Sequence, residues 1–283
     1  MRRGIAYRGA LGQTIQRVHM RGMSTGTLPP ARLARRAVIS VEGEESRDFL
    51  QRVLTLDFAT LDTGAIRPAA LLTPQGKILV DFLVHGIEGG VFLDVHGEAA
   101  DALVKRLSMY RLRAKADIAL REDLVVVAGK GAEDPRHAGL PTRAVVRSED
   151  APAGDGDADQ DAAEIAQGVP AFGRDYAEAD VFPTDVNLDL YGGVGWKKGC
   201  FVGQEVVSRM KRRGTIRKRS LGLTFEVEAP AAGTPVMAGD TPLGEITSSA
   251  GEAAIARLRL DRLEGHEDGI AADGMTARIT VQP

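Results

Sequence analysis

The chain has 283 residues, of which 43% are hydrophobic and 27% charged, and its formal net charge is −3. This composition is ordinary for a folded protein and excludes an overall basic field that would draw the chain to nucleic acid or a membrane surface. The single cysteine excludes an intrachain disulfide framework and a metal centre of four thiolates from one chain. No apolar run reaches the roughly 20 residues that cross a bilayer, so we predict no membrane span.

The first 41 residues contain no Asp or Glu but eight arginines. That composition is typical of a mitochondrial transit peptide. The alternative is a bacterial chain whose true start lies near Met23, because the heavy use of Ala, Gly and Arg indicates a GC-rich source. We favour the bacterial cytoplasm, with the mitochondrial matrix as the location if residues 1–30 are a transit peptide. In both cases residues 1–30 are predicted to be a disordered basic leader outside the fold.

Residues 31–120 are predicted to form an N-terminal α+β domain. The run RAVISVE predicts a strand, and EESRDFLQRVL predicts a helix because Phe49, Leu50 and Val53 share one face. The segment AIRPAALLTPQGKILVDFLVHG predicts two strands joined by a tight turn at residues 73–76, where Pro precedes Gly. VFLDV predicts a further strand and EAADALVKRLSMY a second helix.

A middle α+β domain is predicted over residues 121–217, beginning with the strand patterns DLVVVAG and RAVV. Residues 148–163, SEDAPAGDGDADQDAA, are acidic and lack large apolar side chains, so we predict a solvated loop. The alternating aspartates resemble the start of an EF-hand, but Gln160 and Ala166 stand where that loop needs Gly and Glu. We therefore predict no calcium site.

Residues 218–283 contain short strand patterns separated by Gly, Pro and Asp turns, which predict a small C-terminal β-barrel domain. The predicted fold class is α+β, with antiparallel sheets, packed helices and this separate barrel.

The only cysteine, Cys200, lies in the segment GGVGWKKGCFVGQEVVSRM. Lys197 and Lys198 precede it, and a predicted helix follows it, beginning near Gly203 or Gln204. Nearby cations and a helix N-terminus both favour the thiolate, which is the nucleophile and the metal ligand. The residues by themselves leave two interpretations open, a buried structural thiol and a reactive or ligating one.

The helix predicted after the cysteine has the sequence QEVVSRMKR. Its apolar residues Val206 and Met210 are four apart, and so are Glu205 and Arg209, which we expect to form an ion pair. The predicted helix is therefore amphipathic.

The stretch KKGCFVGQE resembles the signature K-G-C-[FY]-x-G-Q-E of the YgfZ-type folate-binding proteins, a family that includes mitochondrial iron–sulfur assembly factors. The matching residues are Lys198, Gly199, Cys200, Phe201, Gly203, Gln204 and Glu205. SVEGEESRDFLQRVLTLD, LLTPQGKILVDFLV, MYRLRAKADI, FPTDVNLDLYGGVGWKKGC and GEITSSA are similar to further segments of that family. Only the leader and the acidic segment fall outside the resemblance.

The resemblance implies the fold of the aminomethyltransferase (T-protein) of the glycine cleavage system, with three domains around a central cavity that holds tetrahydrofolate. The T-protein pattern has two adjacent aspartates in its hairpin, whereas this chain has Val80 and Asp81. That departure argues against glycine-cleavage activity and favours the YgfZ branch. A folate-dependent aminomethyl or one-carbon transferase remains the alternative function, with Asp81 as the remaining acid.

The resemblance further implies tetrahydrofolate or a derivative as cofactor and a role in assembling or repairing iron–sulfur clusters, with Cys200 as the working thiol. Implied folate contacts are Asp81, Lys77, Tyr110, Arg111 and Arg113. One cysteine can hold only part of a cluster, so a transient cluster would be shared with a partner, and this chain alone provides no metal site. The implied partners are A-type iron–sulfur carrier proteins and client iron–sulfur enzymes, including enzymes that modify tRNA.

Basic residues follow the signature: Arg209, Lys211, Arg212, Arg213 and Arg217. They suit a solvated helix end, where cations complement the dipole. They also suit a local anionic site for folate glutamates or for an acidic face of a partner protein. A direct tRNA-binding module is the third alternative, which we do not favour because few aromatic residues lie nearby for base stacking.

Overall fold

The computed structural model describes residues 29–214, 216–266 and 268–280, so most of the predicted leader lies outside the described residues. The strands are β1 Ala31–Arg32, β2 Arg36–Glu42, β3 Ile66–Leu72, β4 Ile78–Ile87, β5 Gly90–His96, β6 Asp117–Leu120, β7 Leu124–Ala132, β8 Arg143–Arg147, β9 Lys218–Thr224, β10 Pro235–Ala238, β11 Thr241–Ala250, β12 Ala253–Arg259, β13 Ile270–Ala272, β14 Met275–Thr276 and β15 Arg278–Thr280. The α-helices are α1 Ser46–Val53, α2 Gly97–Arg111, α3 Asp157–Ala166, α4 Gln204–Arg213 and α5 Leu260–Leu263. Within these ranges no helix is long and apolar enough to span a membrane.

The first sheet has the antiparallel order β3-β4-β5-β2-β6. On one face, Phe49 of α1 and Leu103 of α2 pack into the core with Ile39 and Val41. On the other face Val38 packs against the middle part of the chain. Because both faces are covered, β4 is buried along most of its length and lacks the alternation of a strand with one wet face.

The turn between β3 and β4 confirms the hairpin predicted from Pro and Gly. The Thr73 N–H donates to Lys77 O at 2.8 Å, and the Gly76 N–H donates to Thr73 O at 2.8 Å. Gly76 has φ +81°, which glycine adopts without steric cost. The predicted strands and helices of residues 36–111 are likewise confirmed.

The second sheet has the order β1-β7-β8. β1 precedes the first sheet in the chain, but it pairs with β7 through Ala31 and Ala128. The pairing therefore crosses the predicted boundary between residues 120 and 121, and those domain limits stay a prediction. Leu33, Val38 and Val126 form the small core that joins the two sheets.

The prediction of a solvated loop at residues 148–163 is wrong for its second half, which forms most of α3. Its buried residues are Gln160, Glu164 and Ile165, and two of these are polar. The helix is held by long-range ion pairs rather than by an apolar face, and composition alone does not reveal such pairs.

The third sheet has the order β14-β13-β10-β11-β12-β9-β15. Its two end strands, β14 and β15, are separated in the chain only by Ala277, so the sheet curls into a nearly closed barrel. The core of the barrel includes Leu243, Ala254 and Ala256. The predicted α+β class with antiparallel sheets and a C-terminal barrel is confirmed.

Candidate functional site

A cavity of about 220 Å³ lies between the first sheet and the middle part of the chain. Its walls come from β4, from α3 and from the irregular segment 170–191. Five arginines line it together with carboxylates, aromatic rings and a few apolar side chains. The cavity therefore combines flat apolar surfaces with many hydrogen-bonding groups.

Asp81, one of the predicted folate contacts, lies on the cavity wall. Because side chains alternate along β4, Val80, which precedes Asp81, lies on the opposite face of the sheet in the core beneath α1 and α2. Burial raises the pKa of Asp81, although the charge of Arg36 and a hydrogen bond from the Tyr176 hydroxyl both favour the carboxylate. Asp81 is thus a weaker acid than usual, placed beside a tyrosine whose own pKa burial raises well above its ordinary value.

Three aromatic rings form one side of the cavity. The His96 and Phe172 ring centroids lie 6.1 Å apart, and those of Phe172 and Tyr176 lie 6.0 Å apart, both with edge-to-face geometry. Burial lowers the pKa of His96, so its ring is neutral at pH 7. His96 Nδ1 is buried and has no hydrogen-bond partner among the described residues.

The floor of the cavity is a network of ion pairs centred on Glu164 of α3. Its carboxylate lies 2.7 Å from Arg136 Nη2 and 3.0 Å from Arg174 Nη1. Burial alone would raise the pKa of Glu164, but Arg136, Arg174 and Arg143 lower it to about 2. Glu164 is therefore an ionised carboxylate at every physiological pH.

The same network reaches all three sheets. In the first sheet Asp94 accepts from Arg36 at 2.5 Å and from Arg143 of the second sheet at 2.8 Å. Asp175, the partner of Arg174, accepts from the Thr247 and Ser248 hydroxyls of the barrel at 2.6 Å each. Buried charges require this pairing, and it fixes the cavity walls relative to one another.

Gln160 of α3 also lines the cavity and is only 6% exposed. Its Nε2 donates to Glu164 Oε1 at 3.1 Å. Its Oε1 is buried without a hydrogen-bond partner among the described residues.

The other predicted folate contacts do not line this cavity. Lys77 donates to Asp180 O at 2.7 Å and lies over the Phe182 ring at 4.1 Å. Arg111 donates to Ala116 O at 3.1 Å, and Arg111 and Arg113 border a separate open groove. Tyr110 is 37% exposed. These residues are close in sequence to the β3–β4 hairpin and to α2, but their side chains do not lie in the cavity.

The signature loop is anchored by Lys198, which is 7% exposed. Its Nζ donates to Leu54 O and Leu56 O at 2.6 Å each, after α1 of the first domain. Burial lowers its pKa to about 8. The expectation that both lysines flank the thiol is therefore wrong for Lys198, whose amine points into the interior, whereas Lys197 is exposed.

Phe201 is the second anchor. It belongs to one core with Tyr176, Val186 and Leu188, which also line the cavity. The loop that carries the cysteine thus shares a core with the cavity wall.

Cys200 itself is exposed, which excludes the buried structural interpretation. It lies between the buried Lys198 and Phe201, and α4 begins four residues later at Gln204, as predicted. Gln204 is half-buried, and its backbone N–H donates to Phe201 O at 3.2 Å. Within the described ranges, no cluster of three or more His, Cys, Asp or Glu side chains is arranged to hold a metal ion.

The predicted ion pair between Glu205 and Arg209 is present on the exposed face of α4. The following cations are exposed as well: Lys211, Arg212, Arg213 and Arg217. Lys211 Nζ lies 3.9 Å from the centroid of the Trp196 ring. None of these residues lines the cavity, so the cluster belongs to the outer surface near the signature loop.

Sequence reasoning missed Tyr176, Arg136, Arg174 and the polar face of α3. One signal was present: Asp157, Gln160, Asp161 and Glu164 follow the i, i+3, i+4, i+7 spacing of one helical face. That spacing is usually sought among apolar residues. The arginine partners have no such local signal, since they lie in other segments.

The chain superposes on the crystal structure of the glycine cleavage system aminomethyltransferase T from Bartonella henselae with a TM-score of 0.73. The match covers 89% of this chain and 84% of that one at 17% sequence identity. The chain has the aminomethyltransferase fold. Within this fold, residues 217–283 match the family model of the CAF17 C-terminal β-barrel domain.

The amino-acid sequence of this chain is similar to those of iron–sulfur cluster assembly factors. The human factor IBA57, mitochondrial, is 28% identical over 278 residues, covering 83% of this chain and 78% of the human protein. The mouse factor is 29% identical, with the same coverage. The homologue from Neurospora crassa is 28% identical, and the match covers 72% of this chain but only 55% of that longer protein. Membership of the YgfZ branch stays a prediction.

Proposed function

We propose that this protein binds tetrahydrofolate or a derivative in the central cavity and takes part in the assembly or repair of iron–sulfur clusters, with Cys200 as its working thiol. The relatives that carry the name of iron–sulfur cluster assembly factors support the assembly role. They are named as mitochondrial proteins, which favours the mitochondrial alternative over the bacterial cytoplasm that we favoured from composition.

The observation that carries the proposal is an exposed thiol on a loop whose neighbours are buried. Lys198 ties the loop to the first domain and Phe201 ties it to the core behind the cavity. A thiol that only filled space would lie inside, as free cysteines usually do. A thiol that meets a partner must be accessible and held in place.

Folate fits the residues that line the cavity. Gln160 Oε1 and His96 Nδ1 are buried without a hydrogen-bond partner among the residues that the structure describes, and a polar ligand would supply one. The rings of Phe172 and Tyr176 offer apolar surface to a flat heterocycle. The volume of about 220 Å³ is below the roughly 300–1,000 Å³ of pockets that enclose a whole drug-sized ligand. We therefore expect the pterin ring inside and the glutamate tail outside. When bound, tetrahydrofolate supplies one-carbon or reducing chemistry at its pterin.

The chain's own residues then have separate roles. Asp81 and Tyr176 hold a proton beside the pterin, and Phe201 connects the cavity wall to the cysteine loop. Cys200 provides one ligand to a cluster that is cargo, and a partner must provide the others. The proposed partners are A-type carrier proteins and client enzymes, among them enzymes that modify tRNA. The exposed cations after α4 suit an acidic face on such a partner.

Complementation of a strain that lacks its own homologue tests the proposal. Cys200→Ala and Cys200→Ser are expected to abolish rescue of cluster-enzyme activity, while the thermal midpoint of each purified variant stays that of wild type because the side chain is exposed. Rescue at the wild-type level by either variant contradicts the role of Cys200.

The second candidate is a folate-dependent one-carbon transferase, favoured by the aminomethyltransferase fold and by Asp81 in the cavity. Incubation with tetrahydrofolate and an aminomethyl-lipoyl carrier protein distinguishes the two. We expect no formation of methylene-tetrahydrofolate at enzymatic turnover, because Val80 replaces the second aspartate. Turnover that is lost in Asp81→Asn and kept in Cys200→Ala would establish the transferase instead.

A further inference from the structure

Gln160 has an amide whose orientation is fixed by its neighbour. Glu164 is held by Arg136 and Arg174, so its carboxylate is ionised and only accepts hydrogen bonds. Facing Glu164 Oε1 at 3.1 Å, Gln160 must therefore present its NH₂ group, which leaves its carbonyl oxygen as the free end.

That free oxygen is unusual. Gln160 is 6% exposed, and Oε1 has no hydrogen-bond partner among the described residues. Buried acceptors without partners are rare in folded proteins because they have lost water without replacing it. Since Gln160 lines the cavity, a molecule in the cavity is the group best placed to provide the missing donor. The terminal torsion of glutamine is soft, so a small rotation of the whole planar amide brings the carbonyl towards a ligand.

The charges around the cavity decide between a neutral and an anionic ligand. Each of the five lining arginines already has a carboxylate partner: Arg35 has Asp161, Arg36 and Arg143 have Asp94, and Arg136 and Arg174 have Glu164. On α3, Asp157 and Asp161 beside Gln160 are both paired with Arg35, and Asp161 also with Arg174. Because the lining arginines are already paired, they have no free charge for a carboxylate tail, whereas the carbonyl of Gln160 needs a donor, which a neutral ring edge with N–H groups provides.

We propose that Gln160 is a specificity-determining residue that accepts a hydrogen bond from the amino edge of the pterin, so that this edge faces α3 and the glutamate tail leaves the cavity on the opposite side. The inference rests on the proposed binding of folate. It assigns the recognition to a helix in the acidic segment, outside the part of the chain that resembles the YgfZ-type family.

Isothermal titration calorimetry with two probes tests the inference: tetrahydrofolate, and its analogue in which hydrogen replaces the 2-amino group. We expect wild type to bind the analogue about tenfold more weakly, since one buried hydrogen bond is lost. Gln160→Met keeps the shape of the side chain without its carbonyl. It is expected to bind tetrahydrofolate about tenfold more weakly and to bind the two probes with nearly equal affinity. Asp159→Asn, an exposed position on the same helix, is the matched control and should behave as wild type.

The outcomes are separable. Absence of tetrahydrofolate binding by wild type overturns the folate part of the proposed function together with this inference. Binding that Gln160→Met leaves unchanged overturns the inference alone and means that water satisfies the carbonyl. If Gln160→Met does not fold, the two probes on wild type still decide, because equal affinity for both excludes a bond to the amino group.

Discussion

Gly76 and Gly203 lie against each other where the β3–β4 turn meets the start of α4. A Cβ on Gly203 would stand 3.1 Å from Gly76 Cα and 2.5 Å from Thr73 O, and a Cβ on Gly76 would stand 3.1 Å from a methyl of Val207. Both residues have positive φ, +81° and +78°. The hairpin of the first domain and the signature helix can approach this closely only because neither residue has a side chain.

The first prediction concerns this contact. Gly203→Ala is expected to destabilise the protein by about 1–3 kcal/mol, because the new methyl meets backbone that cannot move aside and the residue must keep φ +78°. Urea unfolding measures the loss. The control is Gly199→Ala, where nothing lies within 4 Å of the added Cβ, and it should change stability by less than about 0.5 kcal/mol. Equal effects of the two substitutions would contradict the close approach.

The second prediction uses the buried amine of Lys198. Its pKa is lowered from 10.5 to about 8 in the folded protein, so between those values the unfolded chain binds more protons than the folded one. The free energy of unfolding should therefore rise with pH across this window and level off above it. Lys198→Met is expected to remove that rise.

Unfolding at a series of pH values checks this, with Lys197→Met as the control because Lys197 is exposed. The control should keep the wild-type slope. A wild-type free energy of unfolding that falls from about pH 8 to 10.5 while that of Lys198→Met does not would mean that the amine stays protonated in its site.

The third prediction concerns Glu164. Removing its charge takes one buried partner from each of two arginines, although Arg136 keeps Asp134 and Arg174 keeps Asp175, so Glu164→Ala should cost about 1–3 kcal/mol in stability. Because the pKa of Glu164 is lowered from 4.5 to about 2, its contribution is fully present above pH 4.5 and is lost as the pH falls towards 2. Glu164→Gln should reduce the acid sensitivity of the protein in that range.

The matched control for Glu164 is Glu178→Ala, which removes a surface pair with Arg106 at 3.1 Å. Exposed pairs of this kind are worth about 0–1 kcal/mol. Chemical unfolding of both variants compares them directly, and a similar small cost for Glu164→Ala would show that the network does not hold the cavity together.

The fourth prediction concerns the basic residues after α4. We expect weak binding of tRNA at physiological salt and little change when Arg212, Arg213 and Arg217 become alanine. Lys211 covers one face of the nearby Trp196 ring, so that face is not open for a base to stack on. The net charge of the chain is −3, which does not favour binding of phosphates. Fluorescence anisotropy over a range of salt concentrations measures this. Tight binding whose salt dependence weakens in the triple variant would favour a direct tRNA-binding module.

Local patterns in the sequence predicted the elements that hold the signature. Pro and Gly at residues 73–76 specify a turn, and the spacing of Glu205 and Arg209 specifies an exposed helical pair, because both depend on neighbours within a few residues. The cysteine signature likewise identified the loop that the structure exposes at Cys200.

The walls of the cavity depend on pairs that are far apart in the chain. Glu164 meets Arg136 and Arg174, and Asp94 meets Arg143, across 10 to 49 residues. The acidic segment has the composition of a solvated loop because its helix is stabilised by these arginines and not by apolar residues. Arg136 lies 28 residues from Glu164, and Arg174, although only 10 residues away, lies beyond the end of α3, so the pattern of the helix itself shows neither pair and the segment was predicted to be exposed.

Lys198 shows most clearly which features the sequence determines and which depend on the tertiary structure. The sequence by itself determined most of the strands, the hairpin, α4 and the barrel, since periodicity and turn residues act over short distances, but it left open whether Cys200 is buried or exposed. Lys198 is also two residues from Cys200 in the sequence, which predicted that the charge of its amine would lie beside the thiol. Only the tertiary structure decided that this amine points away from the thiol to the carbonyls of Leu54 and Leu56, because those acceptors come from another domain and become available only when the chain is folded.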